Sequence, residues 1–214
     1  QLRLDDERVK AHRQLVVLMR EQGRWEEAIM HARQAVDIQP QSRDAQYDLA
    51  VALQLHNQIG EAIYHYREVL RIAPQWTDAH RNLGGALASV GQFNPSLYHF
   101  REAVRLRPGI PEPLAAMALI LATHPHASSR RPDEAIRLAE QASELTQDQS
   151  APVLDTLAAA YAAAGRFDEA VQTAERALVL LSSQPIEGLA DRIRQRLELY
   201  KQKRPYVQRA PRGP

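Results

Sequence analysis

Three histidines, His31, His65 and His99, recur 34 residues apart. Imidazoles in register are what a metal site would use, because neutral ring nitrogens are common metal ligands. The spacing argues against a shared ion. If each occupies one position of three successive helical repeats, equivalent helices stand two packing distances apart, roughly 16–20 Å. A zinc–nitrogen bond spans about 2 Å. The three therefore read as surface or half-buried side chains. His124 and His126, in THPHASSRRP, are nearer neighbours. No carboxylate or third ligand accompanies them, and a loop of that length more often carries partner contacts.

Other reactive patterns are missing. The chain has no Gly-rich phosphate loop, nucleophile elbow or His-Glu-x-x-His helix. It has no cysteine, which removes disulfides, thiolate metal sites and cysteine nucleophiles. The paired acids Glu26, Glu27 and Asp168, Glu169 fall at helix starts, where they favour the helix dipole rather than acid–base chemistry. The sequence thus predicts no enzyme, no catalytic or metal-ligating residue and no cofactor.

Lys+Arg 27 against Asp+Glu 26 leaves a net charge of +1, so no global field draws nucleic acid or anionic lipid. Aromatic and basic residues do not converge as an RNA platform would require, and the chain is expected to bind no nucleic acid. No apolar run approaches 18 residues, which predicts no direct membrane insertion. Gln1 is followed by no basic and apolar leader, which suggests a processed chain or an excised domain. A bacterial, soluble protein, extracytoplasmic or extracellular rather than cytoplasmic, is the working expectation for its setting.

The elements that carry these residues are repeated. QGRWEEA at 22–28 returns as AGRFDEA at 164–170. Gly23, Ala28, Ala35 and Pro40 recur 34 residues on as Asn57, Ala62, Val69 and Pro74, and again as Gly91, Ser96, Ala103 and Pro108. The repeats run approximately 9–42, 43–76, 77–110, 111–150 and 151–184, and the fourth is lengthened by THPHASSRRP. A fixed period in this range marks stacked supersecondary units. In each, a first helix carries apolar or small residues at i, i+1 and i+4, for example Leu15, Val16, Met19 and Leu83, Gly84, Leu87. Gly or Asn then ends that helix in the left-handed conformation. A small residue (Ala28, Ala62, Ser96, Ala135, Ala170) lets the second helix approach closely. Pro40, Pro74 and Pro108 stop the second helix.

This pattern of small residue, glycine, aromatic and small residue over 9–184 resembles the tetratricopeptide repeat family in its bacterial form. The resemblance implies an all-α, right-handed superhelical solenoid of helix–turn–helix repeats over 1–202, closed by a capping helix at 185–202. Departures are Asn57 for Gly, Ile59 for the aromatic, Ser96 for Ala, the Asn94–Pro95 pair and Arg130 for Gly. Ile186, Leu189, Ile193, Leu197 and Tyr200 line one face of the cap, with Glu187, Asp191, Arg194, Glu198 and Lys201 on the other. Residues 203–214, KRPYVQRAPRGP, form an extended basic, Pro-rich tail expected to dock on its own chain or on a neighbour.

In this family the first helices line a groove that meets the partner, which implies a protein or peptide ligand here. Groove residues would include Arg13, Val17, Tyr47, Val51, Arg81, Gly85, Ala88 and Leu119, grading from charged to small and apolar. Asp155, Ala159 and Ala162 continue it in the fifth repeat. Some members clamp a peptide's terminal carboxylate with paired Lys, Asn and Arg. The corresponding Arg13, Val17, Asp48, Asp78 and Asn82 do not assemble that set. LVVLM at 15–19 is apolar all round, as helices buried on more than one side are. Either Leu2, Leu4 and the charges at 5–8 fold over it, or another molecule packs there. End-to-end contact through Leu15, Val17, Leu18 and Tyr206 would give a homo-oligomer or filament. The expected function is a non-enzymatic interaction scaffold. The alternative is an accessory domain of a larger bacterial membrane enzyme, such as a glycosyltransferase, with its catalytic part upstream.

Overall fold

The computed structural model describes residues 2–208, the Leu2 side chain excepted. Among the described residues there are eleven α-helices, one short 3-10 turn and no strand. They fall into two compact units, Gln1–Leu106 and Arg107–Pro214, each a run of stacked helical hairpins. The first unit holds α1 (Leu2–Glu21) with α2 (Trp25–Ile38), α3 (Arg43–Leu55) with α4 (Ile59–Ile72), and α5 (Thr77–Ser89) with α6 (Phe93–Leu106). The second holds α7 (Pro111–Thr123) with α8 (Pro132–Leu145), α9 (Ala151–Ala163) with α10 (Phe167–Ser183), and α11 (Leu189–Lys201).

The hairpin turns share one closure. Gly23, Asn57, Gly91 and Gly165 take φ of 70°, 60°, 76° and 77°, where only glycine and, at modest cost, asparagine sit easily. The next residue then reaches back to the first helix. Arg24 N–H donates to Met19 O at 2.8 Å, Gln58 to Leu53 at 2.8 Å, Gln92 to Leu87 at 2.9 Å and Arg166 to Tyr161 at 2.9 Å. These bonds occupy carbonyls that the helix end leaves open. The fourth hairpin reaches the same closure by a longer route. Arg130 has φ −74°, outside the left-handed region, yet Arg131 N–H donates to Leu121 O at 2.9 Å. Leu121 is the repeat equivalent of Leu53 and Leu87, so the insertion, with its 3-10 turn Ala127–Ser129, bulges outward without disturbing the hairpin. Arg130 pins it by donating from Nε to His124 O at 2.9 Å.

Second helices stop two residues before Pro40, Pro74 and Pro108, at Ile38, Ile72 and Leu106. Where proline is missing the chain does something else. After α8, Gln147 and Asp148 are both left-handed (φ 51° and 58°), and Asp148 N–H closes on Ser143 O at 2.9 Å. Helix α10 instead runs on to Ser183, 17 residues against 14 for α8. Pro95 sits in the first turn of α6, where its missing donor costs nothing.

Ala28, Ala62, Ser96, Ala135 and Ala170 have no exposed surface, as their role at the helix contact requires. In the third hairpin the two helices meet at Gly84. A Cβ on Gly84 would lie 2.8 Å from the Phe100 ring, and Ser96 Oγ donates to Gly84 O at 2.7 Å.

At the first helix, Val16 and Met19 are buried while Val17 and Leu18 stay about half exposed, at 48% and 45%. Leu4 does not fold over LVVLM, one of the two alternatives for that face. It is 56% exposed because α1 continues N-terminally instead of turning back. At the other end α11 buries Leu189, Ile193, Leu197 and Tyr200 and exposes Asp191, Arg194, Glu198 and Lys201, while Glu187 precedes the helix. Ile186 departs from its expected place on that buried face: it lies before the left-handed Gly188 that caps α11, outside the helix and exposed. Residues 204–208 of the tail form no helix, turn or strand. Its remaining residues, 209–214, lie outside the described residues, as does the Leu2 side chain.

Candidate partner-binding surfaces

The 34-residue histidines have structural partners. Each faces a residue 19 positions earlier on the first helix of its own hairpin: His12 Nδ1 to His31 Nδ1 at 3.2 Å, Gln46 Oε1 to His65 Nδ1 at 2.7 Å, and His80 Nδ1 to His99 Nδ1 at 3.0 Å. Gln46 and His80 also bond the carbonyls of Pro40 and Pro74, both at 2.9 Å, tying the incoming turn to the clip. Positions 12, 46 and 80 are themselves 34 apart, a signal the sequence carried. Burial pushes His65 down, and burial with His80 alongside pushes His99 down to about 4. Among the described residues no group of three His, Cys, Asp or Glu side chains could hold a metal. His124 and His126 lie with their rings 5.6 Å apart and tilted by 40° in the inserted loop.

The inner face of the first unit brings together α1, α3 and α5. Arg13 Nε donates to Asp48 Oδ2 at 2.5 Å, and its Nη1 lies 3.6 Å from Asp44, joining α1 to α3. Asn82 Nδ2 donates to the Tyr47 hydroxyl at 2.9 Å, joining α5 to α3. Tyr47 stacks on Trp76 at 4.7 Å, Arg43 lies over that indole at 5.2 Å, and Tyr66 meets Tyr47 edge-on at 6.0 Å. Tyr66 is fixed by donating to Gln54 Oε1 at 2.7 Å. Burial raises the Tyr47 and Tyr66 phenols, so both stay neutral donors. Burial also raises the Asp48 carboxyl, against the pull of Arg13. Arg81 pairs with Asp78 at 3.4 Å on α5. Val51, Gly85 and Ala88 are half-buried beside these side chains and Val17 is exposed. Nothing occupies the space where a Gly85 Cβ would be.

Seven of the expected groove residues thus belong to this unit: Arg13, Val17, Tyr47, Val51, Arg81, Gly85 and Ala88. The carboxylate-clamp geometry does not form, because Asp48 engages Arg13 and Tyr47 engages Asn82. Trp76 was missed as part of the surface. Arg20 Nε–H is buried without a hydrogen-bond partner among the described residues. The surface offers aromatic faces, amide groups and charges of both signs. It has no activated nucleophile.

The second unit's inner face is a different surface. Leu119 is half-buried, while Asp155, Ala159 and Ala162 are buried, at 5%, 2% and 1% exposure. Arg196 of α11 donates to Asp155 Oδ2 at 2.5 Å, and both side chains are nearly buried. Burial raises the Asp155 carboxyl, against the pull of Arg196. The tail comes back onto this face: Tyr206 lies under the Arg196 guanidinium at 4.4 Å, and Gln208 N–H donates to Thr123 O at 2.8 Å.

Models of the tetratricopeptide repeat match residues 7–75 and 153–185. The chain carries a tetratricopeptide repeat domain. The fold is similar to MamA from Desulfovibrio magneticus (18% identity, TM-score 0.69, 84% of this chain and 98% of that one). It is also similar to PilF of Pseudomonas aeruginosa (20%, 0.67, 92% and 93%). A third likeness is YrrB, described as a TPR protein with an unusual peptide-binding site (19%, 0.66, 86% and 90%). At such identities the likeness speaks for the fold. No curated protein matches the chain.

Proposed function

We propose that this protein is a non-enzymatic interaction scaffold that binds an extended peptide segment along α1, α3 and α5 of the first unit. One observation carries the reading: Tyr47, flat against Trp76 and held through its hydroxyl by Asn82 of α5, presents a preorganised, half-buried aromatic platform between first helices. Rigid aromatic surface of this kind binds at low entropic cost. Val17 and Val51 offer apolar contact. The paired charges Arg13–Asp48 and Arg81–Asp78 favour a ligand without high net charge. YrrB, a structural neighbour whose described feature is a peptide-binding site, supports this use of the fold. Peptides selected from a random library against the full chain should lose at least tenfold in affinity on Tyr47→Ala. Unchanged affinity in that variant, with its helical signal intact, removes the reading.

The half-exposed Leu18 and Leu4 on α1 support a second contact, between copies of the chain. Leu18→Glu should then lower the assembly mass measured by light scattering at high concentration. A wild-type monomer under those conditions removes self-association.

A further inference from the structure

The second unit's inner face holds a peptide already, and it is the chain's own. Helix α11 ends at Lys201, and Lys203 takes φ 55°, which turns the chain. Arg204 N–H closes on Leu199 O at 2.9 Å and sends the tail back across the unit. From there residues 204–208 form no helix, turn or strand. Tyr206 lays its ring 4.4 Å from the Arg196 guanidinium and packs against the core that includes Leu197 and Tyr200. Two residues on, the Gln208 N–H finds Thr123 O, at the end of α7. The strap thus runs from α11 to α7.

The receiving surface is built, and it is not saturated. The buried Asp155 carboxylate fixes Arg196, so the guanidinium presents a flat cationic face in one orientation. Asp155 Oδ1 and the Tyr200 hydroxyl, in residues 5% and 1% exposed, have no hydrogen-bond partner among the described residues. Buried polar atoms of this kind usually mark a place where a further polar group fits. Beyond Arg204 the strap is held by the Gln208–Thr123 main-chain hydrogen bond, the Tyr206–Arg196 contact and the packing of Tyr206 on the core that includes Leu197 and Tyr200, while Tyr206, Val207 and Gln208 each keep part of their surface in water. Lifting it breaks no helix.

We infer that this face is a second peptide-docking site, whose resident occupant is Tyr206–Gln208 and which exchanges it for a partner's extended segment of the same chemistry. That segment needs an aromatic ring to lie on Arg196 and, two residues later, a main-chain N–H for Thr123 O. The tail is then a competitive cis ligand: partners bind this site only as fast and as far as the tail vacates it. The inference stands apart from the first-unit reading, since the two surfaces share no residue.

The test uses the full chain and a fluorescent peptide of sequence KRPYVQ, residues 203–208. Wild-type chain should bind it weakly, because the tethered copy competes. The Tyr206→Ala chain should bind it at least tenfold more tightly, and should not bind the control peptide KRPAVQ. Equal binding by both chains, binding by neither, or equal binding of both peptides overturns the inference. Hydrogen exchange on the wild-type chain gives an independent reading that needs no variant. The Gln208 amide should exchange at least tenfold more slowly than in the free peptide, and exchange at the free-peptide rate overturns it.

Discussion

The two units build the same hairpin and present different inner faces. In the first, charged and aromatic side chains bridge neighbouring first helices near the surface: Arg13 to Asp48 with 35% and 15% of the side chains exposed, and Tyr47 to Asn82. In the second, the equivalent positions are Ala115 and Ala116 on α7 and Asp155 and Thr156 on α9, the Arg196–Asp155 ion pair has 13% and 8% exposed, and the tail lies over it. The repeat therefore specifies where a partner can lie. A few side chains outside the repeat pattern decide whether that place is open or filled.

The ion pairs offer the largest expected difference between the units. Arg196→Met leaves Asp155 buried and unpaired, which should cost roughly 3–5 kcal/mol of second-unit stability. Arg13→Met leaves Asp48 able to rehydrate and should cost about 1 kcal/mol or less in the first. Urea melts of the two variants check this, with both tryptophans, Trp25 and Trp76, reporting the first unit and hydrogen exchange reporting the second. Equal costs would erase the contrast. Restoring second-unit stability with the double substitution Asp155→Leu, Arg196→Met would sharpen it.

Packing comes next. Gly84→Ala drives a Cβ into the buried Phe100 ring, and should cost roughly 1–3 kcal/mol despite alanine's better helix propensity. Gly85→Ala, one residue on, meets open space and should not destabilise. A pair of thermal melts separates them.

Acid should loosen the first unit more gently. His99 has a folded-state value of about 4, below the 6.5 of an unfolded histidine, so the unfolded chain binds the proton more readily. Its contribution is complete above about pH 6.5 and is lost as pH falls toward 4. Burial, His80 and Arg67 act in that direction and Glu102 opposes them. With allowance for partial exposure, the loss between pH 7 and 5 should be on the order of 1 kcal/mol. His80→Gln, which copies the Gln46–His65 pair, should reduce it. Tryptophan-monitored melts at the two pH values give the answer, and a flat profile would discard the histidine-clip argument.

The smallest effect expected is a gain. Gln147 sits at φ 51° without being glycine, and Gln147→Gly should stabilise the second unit by about 1 kcal/mol or less. Asn57→Gly in the first unit, where asparagine already tolerates the conformation, should gain only a few tenths in the same melts.

Much of this was legible in the residues. The left-handed Gly23, Asn57, Gly91 and Gly165, the buried small residues and the prolines each impose a local geometry, so a 34-residue period translates directly into hairpins. The placement of the proposed groove residues of the first unit on α1, α3 and α5 followed from that register. What the register could not show was pairing between side chains from different repeats. Arg196 meets Asp155 across 41 positions, and Tyr206 docks from a tail with no periodicity at all. Trp76 precedes its helix, where helical periodicity gives no signal, and its stack on Tyr47 was invisible for that reason. The histidine clips lay in between: positions 12, 46 and 80 repeat in step with 31, 65 and 99, but two ladders had to be aligned to see one contact.

The scaffold reading is tested most directly by mapping where a selected peptide lies on the full chain. With a photoreactive group in the bound peptide, the expected crosslinks fall on α1, α3 and α5, around Arg13, Tyr47 and Arg81. Crosslinks confined to the second helices, α2, α4 and α6, would contradict it.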